Sequence, residues 1–208
     1  MSVRVRLVGA ATAVALLVGG GAIGSAEAAS SGVSTKDLPT LAEVVKVVPA
    51  IKGGRTTTQK TKAYYGNTGD CRPEGRRTTI RVGRITSYWA KPSRTGFGSE
   101  AHVEVAHFKT KKAARRAMTD YTAWVKNCKE SSPELLFLKQ QPVPKLGHQR
   151  LGFATKYAAS DELPARSTSS ILVRKGRMVV QVMRWQKGHD VKFKQTVGLV
   201  RVAYKRAR

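Results

Sequence analysis

Three features of the 208-residue chain predict an antiparallel α+β fold. Runs with a two-residue hydrophobic period fall in neighbouring pairs, glycine-containing turns join them, and the strongest helical run stands between strand pairs without any βαβ alternation. Together they describe one antiparallel sheet packed by two or three helices.

The chain opens MSVRVRLVGAATAVALLVGGGAIGSAEAA, with Arg4 and Arg6, an apolar run from Leu7 to Ile23, and Ala26 and Ala28 around Glu27. That layout is a secretory signal peptide spanning residues 1–28. A membrane anchor is the other reading, but Gly19, Gly20, Gly21 and Gly24 crowd its end, and a spanning helix needs about 20 strongly apolar residues. No later stretch is apolar long enough to span a bilayer. Residues 29–37, ASSGVSTKD, read as a flexible leader, and 38–208 as one domain large enough to bury a core of its own.

LPTLAEVVKVVPAI follows, in which Leu41, Val44, Val45 and Val48 suit a short amphipathic helix stopped by Pro49. Lys52 to Gly75 is polar and rich in glycine and threonine; it reads as loop with at most one short strand. TTIRVGRITSYWA (78–90) and SEAHVEVAHF (99–108) have strand character, separated by a Pro/Gly-containing turn. In the second, Ala101, Val103 and Val105 share a core face, while His102 and Glu104 share a wet one. Residues 110–128 switch to helical spacing through Ala114, Ala117, Met118, Tyr121, Trp124 and Cys128, with Thr110 as N-cap. Trp124 is expected to pack this helix on the sheet. ELLFLKQ reads as a buried strand and QRLGFATKYAAS as another. SSILVR and RMVVQVMRW form a hairpin about Lys175-Gly176. A closing helix carries Phe193, Val197, Val200 and Tyr204, preceded by a turn with Asp190 as cap; Gly198 weakens it by about 1 kcal/mol relative to alanine.

Two cysteines remain, Cys71 and Cys128. In an exported chain they form a disulfide by default, and closing so long a loop stabilises a fold by about 4 kcal/mol in the chain-entropy model. Two free thiols are the alternative. A CxxC redox pair is excluded by their separation, and two thiolates without nearby histidines make a poor zinc site.

Charge dominates the composition: 38 Lys+Arg stand against 13 Asp+Glu, a formal net charge of +25. Such a surface attracts polyanions from a distance. Nucleic acid is one candidate; for an exported protein, an anionic cell-wall polymer, a lipid headgroup or a small anionic ligand is equally accessible. Lys111, Lys112, Arg115 and Arg116 crowd the first turns of the central helix, where the macrodipole disfavours each cation by about 0.3 to 1 kcal/mol. That costly placement, added to free backbone N–H groups, reads as an anion site. A chain this rich in lysine and arginine also scatters cations everywhere, so background charge is the competing reading. Tyr88, Trp89 and Trp185 are weaker candidates for the walls of a cleft.

The motifs of catalysis are missing. HExxH, GxSxG, SxxK and GxxxxGK[ST] are absent, and His102-Val103-Glu104 has no PCxxC partner with which to form a zinc deaminase site. His102, His107, His148 and His189 are scattered without metal-ligand spacing. No nucleophile, base and orienting group can be named together, so the chain reads as a non-enzymatic binding protein without cofactor or metal. The nucleic-acid reading lacks RNP, RGG and helix-turn-helix signatures and rests on charge alone.

AHVEVAHF followed by KTKKAARRAMTDYTAWVKNC, with tryptophan four residues before cysteine, then ILVRKGRMVVQVMRW and a closing helix, resembles the PknH-like extracellular sensor domain of actinobacterial exported proteins and receptor kinases. The resemblance covers roughly residues 38–205 through loose, mostly structural motifs. It implies an antiparallel sheet with helices around a cleft that binds an unidentified ligand. The chain departs from that family in having one cysteine pair where members commonly have two, no kinase domain, and an unusual surplus of positive charge.

Overall fold

The structure, a computed structural model, describes residues 32–64, 78–91, 98–127, 135–159 and 165–207. The expected signal peptide and both cysteines of the expected disulfide, Cys71 and Cys128, lie outside the described residues. Among the described residues seven strands make one sheet: β1 (Arg55–Tyr64), β2 (Thr78–Trp89), β3 (Ser99–Phe108), β4 (Leu135–Gln140), β5 (Gln149–Tyr157), β6 (Arg166–Lys175) and β7 (Met178–Lys187). Their order is β1-β2-β3-β7-β6-β5-β4, and every neighbouring pair is antiparallel. The helices are α1 (Leu41–Val47), α2 (Lys111–Asn127) and α3 (Phe193–Arg206).

Helices lie on both faces of this sheet because its central strands are apolar on both. On one face, Ala101, Val103 and Val105 of β3 join Val180 and Val182 of β7, Val44 of α1, and Leu199, Val200 and Ala203 of α3. On the other, α2 sets Ala114, Met118, Tyr121 and Trp124 against Phe108, Phe153, Leu172 and Val179. Trp124 meets the Phe153 ring edge-on with centroids 5.4 Å apart, the arrangement that ring quadrupoles favour. Thr110 caps α2 as its sequence requires: Ala113 N–H donates to Thr110 Oγ1 at 3.0 Å.

Several expectations need correction. Residues 33–37 are built into the fold instead of forming a leader. Val33 is buried, its carbonyl accepts Arg84 Nε–H at 2.6 Å, and Ser34 and Asp37 close a capping box over a 3-10 turn. Within the stretch taken as loop, β1 is a full strand of ten residues. It pairs only with β2 and is exposed from Arg55 to Lys60. An edge strand wet on both sides shows no period-two signal; its threonines supply the β propensity. At the opposite edge, β4 is buried on one side only: Leu138 enters the core beneath α2, while Leu136 is 68% exposed. The hairpin turns at Gly176-Arg177, one residue later than expected, because Gly176, with φ at 60°, takes the first central position that a type II′ turn reserves for glycine. Asp190 does not cap α3. It pairs with Lys156 at 2.9 Å, and the N-cap position falls to Lys192.

Candidate functional site

Lys111, Lys112, Arg115 and Arg116 are all exposed on the first turns of α2, and that first turn holds no acid. Helical spacing continues the flank of Arg115 through Thr119, Thr122 and Lys126. Those last three residues, with Gln149 and Arg150 at the start of β5, line a groove of about 540 Å³. Lys111 and Lys112 stand one turn before Arg115, to either side of that flank. Arg116 turns away from it.

Arg174 of β6 joins this group from the sheet. It is 6% exposed, with Nε donating to Gln149 Oε1 at 2.6 Å and Nη1 to the Gly176 carbonyl at 2.9 Å. Burial, and secondly the nearby positive charge of Arg115, hold the Arg174 guanidinium below its ordinary value. Two like charges therefore lie near each other beside the groove, and the partners of Arg174 are neutral oxygens, one of them on the groove residue Gln149. Lys126 extends the cationic lining along it; Arg150 borders the groove, but strand alternation with Gln149 and Leu151 directs its side chain to the α3 side of the sheet. Arg174 was missed in the sequence because the register of β5 with β6, which sets Gln149 opposite it, is what brings it to the groove. Nothing in its own neighbourhood along the chain signals that meeting.

The predicted aromatic residues sit elsewhere. Trp89 and Trp185 flank Glu100 in one cross-strand row on the α2 side of the sheet. Arg55 lies over the Trp89 ring, 5.1 Å from its centroid. This row is separated from the start of α2 by most of the length of β3, roughly 25 Å at the usual strand rise. Tyr88 projects to the opposite face, fully buried in the core with its hydroxyl donating to the Pro39 carbonyl. The structure thus joins Trp89 with Trp185 and Arg115 with the groove. It does not join the two groups, and it encloses Tyr88.

Between them on β3, the face expected to be wet is half-buried. Ser87 Oγ and His102 Nδ1 share a hydrogen bond of 2.8 Å, and His102 Nε2 lies 3.3 Å from Glu100 Oε2. Burial holds the His102 imidazole below its ordinary value against the opposite pull of Glu100. Two residues on, burial pushes the Glu104 carboxyl up to about 7, although Thr61 Oγ1 donates to it at 2.9 Å. A serine, a histidine and a carboxylate in line suggest acyl transfer, but that chemistry needs oxyanion donors beside the nucleophile. The backbone of Ser87 is ladder-paired between β1 and β3, so its own N–H is committed to the sheet. The three residues read as a cross-strand polar network. Among the described residues no group of three His, Cys, Asp or Glu side chains is placed to hold a metal, and no helix is long and apolar enough to cross a membrane.

No protein-family model matches the chain. No curated protein matches it in sequence. Its fold is similar to the crystal structure of the extracellular domain of PknH from Mycobacterium tuberculosis, with a TM-score of 0.59 over 82% of this chain and 94% of that one. The two are 12% identical, so the likeness is one of fold. The class defined is one of fold: an antiparallel sheet with helices on both faces, similar to that extracellular domain.

Proposed function

We propose that this chain is an exported, sensor-type binding domain whose ligand is an anion of the cell envelope, held in the groove between α2 and β5. Residues 1–28 act as its signal peptide, the leader is confined to the residues before Val33, and Cys71 and Cys128 form a disulfide. The protein acts outside the cell, at or near the cell wall, as a binder and not as an enzyme. The observation that carries this reading is the buried Arg174, which has neutral partners only, bonds the groove residue Gln149 and lies near the positive charge of Arg115, beside a groove lined by Lys126. Like charges set together in a fold mark a place where an opposite charge is missing. The likeness to an extracellular sensor domain supports a ligand-binding role.

The net charge of +25 favours a second reading, a general binder of polyanions including nucleic acid. Calorimetric titration with a short poly(glycerol phosphate), and in parallel with a single-stranded oligonucleotide, separates the two. A groove site gives one phosphate polymer per protein and a salt slope of about −3, corresponding to some four neutralised phosphates. Stoichiometry that grows with polymer length, a steeper slope and equal affinity for the oligonucleotide would establish diffuse attraction instead.

A further inference from the structure

Along the register of β7 that faces α1 and α3, Met178, Val180 and Val182 are buried and apolar, and the next position is Arg184. Its side chain is 1% exposed. Nη1 donates to Gln195 Oε1 on α3, Nη2 donates to Ser99 Oγ at 3.0 Å, and Nε is buried with no partner. Both acceptors are neutral. Burial alone pulls this guanidinium down to about 10, so it remains cationic at neutral pH. A buried charge without a counter-charge costs several kcal/mol, which folds avoid by pairing it.

The surroundings are polar as well. Ser99, Ser167, Ser169 and Thr196 are buried; Ser169 and Thr196 hydrogen-bond to each other, and Val191 N–H donates to Ser167 Oγ at 2.9 Å. α3 starts at this point. Its N-cap Lys192 gives no side-chain hydrogen bond and its first turn contains no acid, so the positive end of a 14-residue helix stands uncompensated beside Arg184. His189, Lys192 and Lys194 are exposed around that turn. The one acid there, Asp190, is exposed and bound to Lys156.

We infer that Arg184, Ser99 and the first turn of α3 form a binding site for a small oxyanion, whether carboxylate, phosphate or sulfate, which takes the unpartnered Nε–H and completes the start of the helix. The site lies on the opposite side of the sheet from α2 and its groove, so either site can fail without the other.

Thermal unfolding of the full chain at constant ionic strength, with sulfate, phosphate or formate replacing chloride, tests it. The melting temperature is expected to rise along a saturating curve, by about 5 to 10 °C at a hundredfold excess over the dissociation constant. Saturation with phosphate and sulfate alone identifies a phosphate-like ligand, and saturation with formate a carboxylate. Arg184→Met should lose a saturating component, while Arg201→Glu, an exposed charge change outside both sites, should keep it. A linear rise, which is a general salt effect, or the same curve in Arg184→Met, which places the anion elsewhere on the molecule, overturns the site. If Arg184→Met does not fold, the Nε resonance of Arg184 in the unaltered protein decides: it must shift saturably with sulfate, and a stationary resonance overturns the site equally.

Discussion

Glu104 shows how one side chain records its surroundings. Burial raises its pKa to about 7 from an ordinary value near 4.5. The folded state therefore holds this proton more tightly than the unfolded chain. Stability from Glu104 is fully present below about pH 4.5 and is lost as the pH rises through 7, a change on the order of 3 kcal/mol. Glu104→Gln should flatten that part of the pH–stability profile and leave the protein more stable than the original at pH 8; urea unfolding from pH 4 to 8 measures this. An unchanged slope would mean that water reaches the carboxylate. Tyr88 answers a different question. Tyr88→Phe removes the donor to the Pro39 carbonyl and should cost about 1 kcal/mol, without altering binding of poly(glycerol phosphate), because the ring lies in the core on the side of the sheet away from α2.

At the scale of elements, the contact of α3 with α1 depends on a single glycine. A Cβ on Gly198 would lie 2.6 Å from Val47 Cγ1, so the glycine that weakens the helix by propensity is what allows the two helices to approach. Gly198→Ala should destabilise by about 1 to 3 kcal/mol despite its better helix propensity, and Val47→Ala in the same chain should recover part of that loss. Thermal melts of the single and double variants decide it. Elements whose side chains alternate or recur because one face is buried were legible: β3, α2, the β6–β7 hairpin and α3 stand where their periods place them. The edge strands were not, since β1 is wet on both faces and β4 exposes Leu136. The site was legible only in its helical half. Arg115 could be singled out from the cost of cations at a helix start, whereas Arg174 reaches it through strand register, which no local pattern encodes. Arg184 did leave a trace, as the one charged residue in the inward-facing register of RMVVQVMRW.

At the scale of the whole molecule, two apolar faces on one sheet let a strongly cationic chain fold around two cores, with Arg174 and Arg184 the buried cations among the described residues. The net charge alone makes every anion a weak ligand. What distinguishes a site from that background is convergence, and in the described residues it occurs where α2 meets the start of β5 and the end of β6. The most direct measurement compares two charge-matched double variants, Arg115→Glu with Lys126→Glu and Arg201→Glu with Lys205→Glu, in titrations with poly(glycerol phosphate) at a single salt concentration. Both pairs change the net charge equally, and Arg115, Lys126, Arg201 and Lys205 are all exposed. A site beside α2 requires the first pair to weaken binding at least about tenfold, or about 1.4 kcal/mol, more than the second. Equal losses in the two variants would contradict it and leave only the diffuse field of the whole surface.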